Sequence, residues 1–133
     1  LVNPIHKGKR GENELCLWLK ANLDLNVDPE RNYNQSKRGS SDIVNVAGWA
    51  FEVKRREVLS LDDWWWQVCV SVKKHYPESE PVVAFRQNRK PWEFLISARA
   101  IGLELGYIRL KDSIFINYAN RAIRGHYPQE ILV

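Results

Sequence analysis

Ser40-Ser41-Asp42-Ile43-Val44-Asn45-Val46-Ala47-Gly48-Trp49-Ala50-Phe51-Glu52-Val53-Lys54 reads as two short apolar strands joined by a glycine-containing turn. An aspartate opens the first strand, and a Glu-Val-Lys triplet lies near the end of the second. Strand side chains alternate with period 2, so Glu52 and Lys54 share a face and Val53 takes the other. Two carboxylates from adjacent strands suit a hard divalent cation such as Mg²⁺, which prefers oxygen ligands. A lysine beside them, in a basic chain, points to a phosphodiester as substrate and to metal-assisted hydrolysis as chemistry.

Turn length decides whether the carboxylates meet. A two-residue Ala47-Gly48 turn would place Asp42 opposite Val53 and leave Glu52 on the other face. A three-residue loop Val46-Ala47-Gly48, with Gly48 last and left-handed, places Asp42 opposite Glu52. Directly opposed residues point to the same side of a sheet. The metal hypothesis therefore demands the odd-length loop, and Gly48 falls where that loop needs it. A hairpin with two incidental surface acids stays open on spacing alone.

The 133 residues suffice for one domain, 1–133, with a single good core. Hydrophobic content of 44% and six tryptophans argue for a folded globule rather than a disordered tail. No apolar run is long enough to span a bilayer and no signal-peptide core follows the basic N-terminus, so a cytoplasmic protein without a membrane partner is expected. The net charge of +4 and a pI near 9.2 are moderate for a nucleic-acid binder. Its distribution is more informative. Lys7, Lys9 and Arg10 open the chain beside His6, Lys37 and Arg38 precede Asp42, and Arg55 and Arg56 follow Lys54. Binding to phosphate through these clusters would be salt-sensitive. Cys16 and Cys69 fall on apolar helix faces and read as small buried hydrophobes in a reducing compartment. The three histidines have no zinc spacing, and no phosphate-binding glycine loop, serine-nucleophile elbow or internal repeat is present.

Outward from the hairpin, a helix is predicted from about Arg10 to Asn22, with Leu15, Trp18, Leu19 and Leu23 as its apolar stripe. Glu12 would sit near the positive end of that helix, the routine explanation for an early glutamate. Residues Glu30 to Gln35 read as a short strand, and Ser36 to Ser41 as a polar, basic loop. Ser60-Leu61-Asp62-Asp63 reads as a helix start with Asp63 in the capping-box position. This helix runs to about His75 with Leu61, Trp65, Val68 and Val72 as its core stripe. Trp64, Trp65 and Trp66 cannot all face one core, because neighbouring helix residues lie about 100° apart, so at least one is partly exposed or covered by a partner, in ordinary packing against strand edges or as a dimer interface or stacking surface. Gln67 sits on a different face from Trp65 and is placed to point back toward the hairpin. Strands are predicted at Pro81–Phe85 and Trp92–Ile96, a short helix near Ala98–Leu105 and a strand near Ile114–Tyr118. The order is that of an α/β protein with a mixed central sheet.

This order and these residues resemble the PD-(D/E)XK nuclease superfamily, and within it the archaeal-type Holliday junction resolvases and their phage relatives. The match is carried by Lys7-Gly8-Lys9-Arg10-Gly11-Glu12, Ser41-Asp42-Ile43-Val44, Glu52-Val53-Lys54 and Gln67, and covers roughly residues 7 to 96. Ser41 replaces the proline that names the superfamily. The resemblance implies a restriction-endonuclease-like α/β/α sandwich with a mixed central β-sheet flanked by helices. It implies that Asp42, Glu52 and the backbone carbonyl of Val53 ligate Mg²⁺, with Mn²⁺ as a substitute. Glu12 would complete the acidic pocket through water or a second metal. Lys54 would position the attacking water or neutralise the transition state, and Gln67 would orient Lys54 or the water. Lys7, Lys9, Arg10, Lys37, Arg38, Ser40, Ser41, Arg55 and Arg56 would contact DNA phosphates. The activity implied is paired, symmetric nicking of four-way junctions by a homodimer in a prokaryotic or phage-infected cell, a role in DNA recombination and repair. A nuclease for flaps, ends or linear duplex, and a non-catalytic DNA-binding module on the same scaffold, remain alternatives.

Overall fold

Apolar residues alternate along the central strands and sort the core into two layers. The computed structural model describes residues 4–32, 42–46 and 48–125, with backbone alone for 4–8. In chain order these form α1 (Pro4–Asn22), β1 (Glu30–Arg31), β2 (Ile43–Val44), β3 (Trp49–Arg55), α2 (Leu61–His75), β4 (Glu80–Arg86) and β5 (Glu93–Ser97). A 3₁₀ turn (Ala98–Ile101), β6 (Tyr107–Lys111) and α3 (Asp112–Arg124) follow. The six strands make one sheet in sequence order. All neighbours are antiparallel except β3 and β4, which are parallel and joined through α2.

Phe51, Val82, Ala84, Phe94 and Ile96 face α1 and α3, where they meet Leu15, Leu19, Phe115 and Ala119. Ala50, Val83, Phe85 and Leu95 face α2, where they meet Trp64, Val68 and Val72. The result is the expected α/β/α sandwich around a mixed sheet. Each fully buried leucine or phenylalanine contributes about 2–3 kcal/mol through area removed from water. Phe94 and Phe115 stack with centroids 3.8 Å apart and tie α3 to the sheet.

The hairpin has the odd-length register. Ile43 pairs with Phe51, whereas the two-residue turn would have set Ile43 against Glu52. Gly48 is left-handed at φ 86°, and the Trp49 N–H donates to the Val46 carbonyl across the turn. Asn45 is also left-handed, at φ 70°, a feature the sequence reading did not anticipate.

Several elements differ from expectation. Helix α1 begins at Pro4 and not near Arg10, because proline is pre-organised for a first helical position. Glu12 therefore lies eight residues past the helix start. The dipole effect falls off within the first turn, so it does not explain this glutamate. The described part of the first strand is only Glu30–Arg31, and residues 33–35 lie outside the described set. Ser60 makes no side-chain cap on α2, so the capping box is not formed. Trp64, not Trp65, is the buried tryptophan of α2; Trp65 packs sideways on Tyr107 and Trp66 is 70% exposed. The helix expected over 98–105 is a single 3₁₀ turn, stopped at left-handed Gly102. The strand expected at 114–118 lies inside α3, since Phe115 and Ala119 are both fully buried at the i, i+4 spacing of one helix face. Cys16 and Cys69 are free thiols, each partly buried and each packed on a different layer of the core.

Candidate active site

Strand β3 delivers Glu52 and Lys54 to the α2 face, in step with Ala50 of that core layer. The Lys54 Nζ lies 3.4 Å from Glu52 Oε1 and donates to Gln67 Oε1 at 3.3 Å. Asp42 comes from the entry to β2. Its N–H donates to the Phe51 carbonyl at 2.8 Å, and its Oδ2 accepts from the Val53 N–H at 2.7 Å. Backbone and side chain of Asp42 thus bracket Glu52. Both backbone groups of a strand residue face the same neighbour, so the Val53 carbonyl is turned to this edge as well.

Glu12 reaches the centre from α1, on the opposite side of the sheet. It is 6% exposed and accepts from Arg31 Nε at 2.6 Å. Arg31 stands opposite Ile43 in the sheet, hence on the α1 face. Helix α1 can lie this close to β3 because residue 11 is glycine. A Cβ there would meet Arg55 Cγ at 2.5 Å.

The electrostatics of the centre are unbalanced. Burial and the neighbouring Glu52 charge push the Asp42 carboxyl up to about 8, against a partial offset from the Val53 N–H, and Glu12 adds to the rise. Burial also raises Glu52, with Lys54 opposing and Glu12 reinforcing. Ionising both carboxyls would leave more negative charge than the one lysine neutralises, so Asp42 holds its proton through neutral pH. Two oxygen-donor carboxylates beside a strand carbonyl, short of positive charge, fit a hard divalent cation that keeps several waters. Among the described residues no three His, Cys, Asp or Glu side chains converge as a ready-made metal cluster. Glu12 acts on the pair through its charge, with its carboxylate accepting from Arg31.

The sequence-predicted DNA contacts divide into three groups. Lys9, Arg10 and Arg56 are exposed. Lys7 lies on α1 with its side chain outside the described set, and Lys37, Arg38, Ser40 and Ser41 lie outside the described residues altogether. Arg55 is a correction. Period-2 alternation turns it under α1, where its side chain is only 12% exposed. Its Nε sits 3.5 Å from Glu14 Oε1, and its Nη groups donate to the Arg86 carbonyl and to Asn88 Oδ1. That guanidinium is committed to the fold and unavailable to a phosphate. Arg31, the partner of Glu12, was missed, because only the tertiary fold brings residues 19 positions apart into one pair.

The three-layer fold, the acids on neighbouring strands and the lysine two residues after the second acid form the arrangement that the resemblance to PD-(D/E)XK nucleases implied. The chain is similar to the 1.6 Å structure of Archaeoglobus fulgidus Hjc, a Holliday junction resolvase from an archaeal hyperthermophile. Identity is 25%, 81% of this chain and 86% of that chain are covered, and the TM-score is 0.47. No family model matches the chain, and no curated protein matches it.

Proposed function

We propose that the chain is a metal-dependent endodeoxyribonuclease that resolves four-way DNA junctions. The observation that carries the hydrolytic part is the pairing of buried Asp42 with half-buried Glu52, with Lys54 held between Glu52 and Gln67. Asp42, Glu52 and the Val53 carbonyl would hold Mg²⁺ or Mn²⁺. When bound, the metal supplies a water of lowered pKa and takes up charge on the scissile phosphate. Lys54 is held by two partners, so its ammonium is pre-oriented beside the carboxylates, where charge develops on the phosphate oxygens. Gln67 limits the rotamers of Lys54 and fixes that orientation. Glu12 adds negative charge from the far side, and Arg31 keeps it in place.

Lys9, Arg10 and Arg56 supply exposed cations near the centre for backbone phosphate, with no base-specific reading required. Paired nicks need two centres, so the active species in this reading is a homodimer. Among the described residues no helix is long and apolar enough to cross a membrane. The decisive experiment is cleavage of a labelled immobile four-way junction and its linear duplex, in Mg²⁺ and in EDTA. Paired, metal-dependent nicks on the junction alone support resolution. Equal cutting of both substrates would retain the nuclease and remove the junction specificity. Binding without cutting in either condition would leave a non-catalytic module.

A further inference from the structure

We infer that the turn between β4 and β5 is a second, preformed contact for a DNA arm, with Arg89 and Lys90 as its phosphate-binding side chains. The inference rests on the nuclease reading and extends it to residues outside the acidic centre. Five hydrogen bonds brace this turn. Lys90 N–H donates to the Gln87 carbonyl (3.2 Å), and Arg86 Nε donates to the Lys90 carbonyl (2.7 Å). Gln87 Nε2 donates to the Glu57 carbonyl, Asn88 N–H donates to Glu57 Oε2, and Arg55 Nη2 donates to Asn88 Oδ1. Three of the five bonds join the turn to residues 55–57, immediately after Lys54. The turn is therefore fixed relative to the catalytic strand, while the Arg89 and Lys90 side chains stay exposed.

Two observations separate this turn from an ordinary solvated loop. Arg89 is left-handed at φ 62°. Turn chemistry favours glycine or asparagine there, and a larger side chain costs about 1 kcal/mol. The guanidinium is thus not explained by the turn itself. The second observation is the distribution of ion pairs. Several exposed cations elsewhere are matched with acids: Lys20 with Asp28, Arg99 with Glu80, Arg109 with Glu93 and Arg124 with Asp24; Lys111, at the end of β6, is exposed without an ion pair, and Arg121 lies in the last turn of α3. Lys73 and Lys74 lie in the last turn of α2, where the helix dipole accounts for them. Among the described residues, none of Lys9, Arg10, Arg56, Arg89 or Lys90 is ion-paired, and all five lie toward the end of the sheet where β3 and β4 finish. Acids at this end are engaged in part: Glu14 by Arg55 and Arg86, Glu57 by the turn, Glu93 by Arg109 and Asp62 by the Tyr107 hydroxyl, while Asp63 and Asp112 make no ion pair among the described residues. The outcome is a rim rich in unpaired cations that reaches the end of the catalytic strand through Arg56. From Glu52 to Arg56 the strand advances roughly 13 Å. At about 3.4 Å per base pair, that spacing would set Arg56 about four base pairs along an arm from the scissile phosphate.

The test is binding of a labelled immobile four-way junction in EDTA, measured across a salt series. Arg89→Gln with Lys90→Gln should weaken binding roughly tenfold and lower the slope of log affinity against log salt by about 2. Arg89→Glu with Lys90→Glu should weaken it further, and thermal melts check that both variants fold. Lys73→Gln with Lys74→Gln, at the other end of α2, should leave the slope unchanged. Wild-type binding together with an unchanged slope in the turn variants would overturn the inference and leave the nuclease reading intact. Equal loss from the Lys73/Lys74 change would overturn it too, by reducing the effect to net charge. A wild-type protein that binds no DNA would sink both.

Discussion

The two faces of β3 use charge in opposite ways. On the α1 face, Arg55 is buried among Glu14, Asn88 and the Arg86 carbonyl, and its charge is answered by Glu14. On the α2 face, Glu52 and Asp42 crowd each other, and the single Lys54 leaves their charge partly unanswered. Neighbours in sequence thus belong to an ion-paired structural network, whose Arg55 Nε makes no hydrogen bond, and to an unbalanced acidic centre. A satisfied buried pair costs stability when broken. An unsatisfied one costs stability while intact, and that cost is what a metal or substrate can relieve.

The sharpest way to break this contrast is to neutralise the acidic face. Asp42→Asn or Glu52→Gln should lower cleavage about a thousandfold or more, in keeping with loss of groups acting directly on the transition state. The fold should survive or gain. Because the Asp42 pKa is raised in the folded state, the native protein binds more protons than the unfolded chain between about pH 4 and 8. Stability of the metal-free protein should therefore fall as pH rises through that window. Asp42→Asn should flatten the decline and melt roughly 5 °C higher than wild type at pH 8. Mg²⁺ should raise the melting temperature of wild type and not of the variant. An Asp42→Asn protein less stable than wild type at pH 8 would show that the acid is structural. Lys54→Ala comes next, with turnover lowered about a hundredfold or more and the Mg²⁺-dependent thermal shift retained. A variant cutting at the normal rate would remove the lysine from the chemistry.

The ion-paired face should respond the other way. Arg55→Met keeps an apolar stem but leaves Glu14 with Arg86 alone, and should cost about 2–4 kcal/mol by denaturant unfolding. Cleavage per folded molecule should hold. Gly11→Ala tests the same contact from the helix side. Its Cβ would meet Arg55 Cγ at 2.5 Å, so α1 must shift, at about 1–3 kcal/mol. Glu12 rides on that helix, so Gly11→Ala should also lower activity, which separates it from Arg55→Met. A variant with wild-type stability and activity would mean that the close approach of α1 serves neither fold nor site.

The sequence made the period-2 features legible. Period-2 alternation was enough to put Glu52 and Lys54 on one face, and the demand that two carboxylates meet, with Gly48 where an odd-length loop needs it, selected the register that the hairpin has. Features that depend on distant partners were not legible. Arg55 looked like one more cation in a basic run, because Glu14, Arg86 and Asn88 come to it only once α1 and the β4–β5 turn are packed. The same applies to Arg31 beneath Glu12. Residues 114–118 were misread as a strand because their apolar positions fit a strand nearly as well as a helix until Phe94 stacks on Phe115.

The smallest effect expected belongs to Gln67, and it is the finest probe of the contrast. Its amide oxygen accepts from Lys54 at 3.3 Å, a long bond on the exposed rim of the site. Glu52 also holds Lys54, so the ammonium keeps one of its two anchors when Gln67 is lost. Gln67→Ala should lower turnover about tenfold, the usual scale for groups that orient a catalytic side chain. Gln67→Glu replaces the neutral acceptor with a carboxylate and adds a charge to a centre already too negative. It should therefore strengthen the Mg²⁺-dependent thermal shift while slowing turnover, whereas Gln67→Ala should leave that shift alone. If both substitutions left rate and shift unchanged, the Lys54–Gln67 contact would be surface geometry, and the orientation of Lys54 would rest on Glu52 alone.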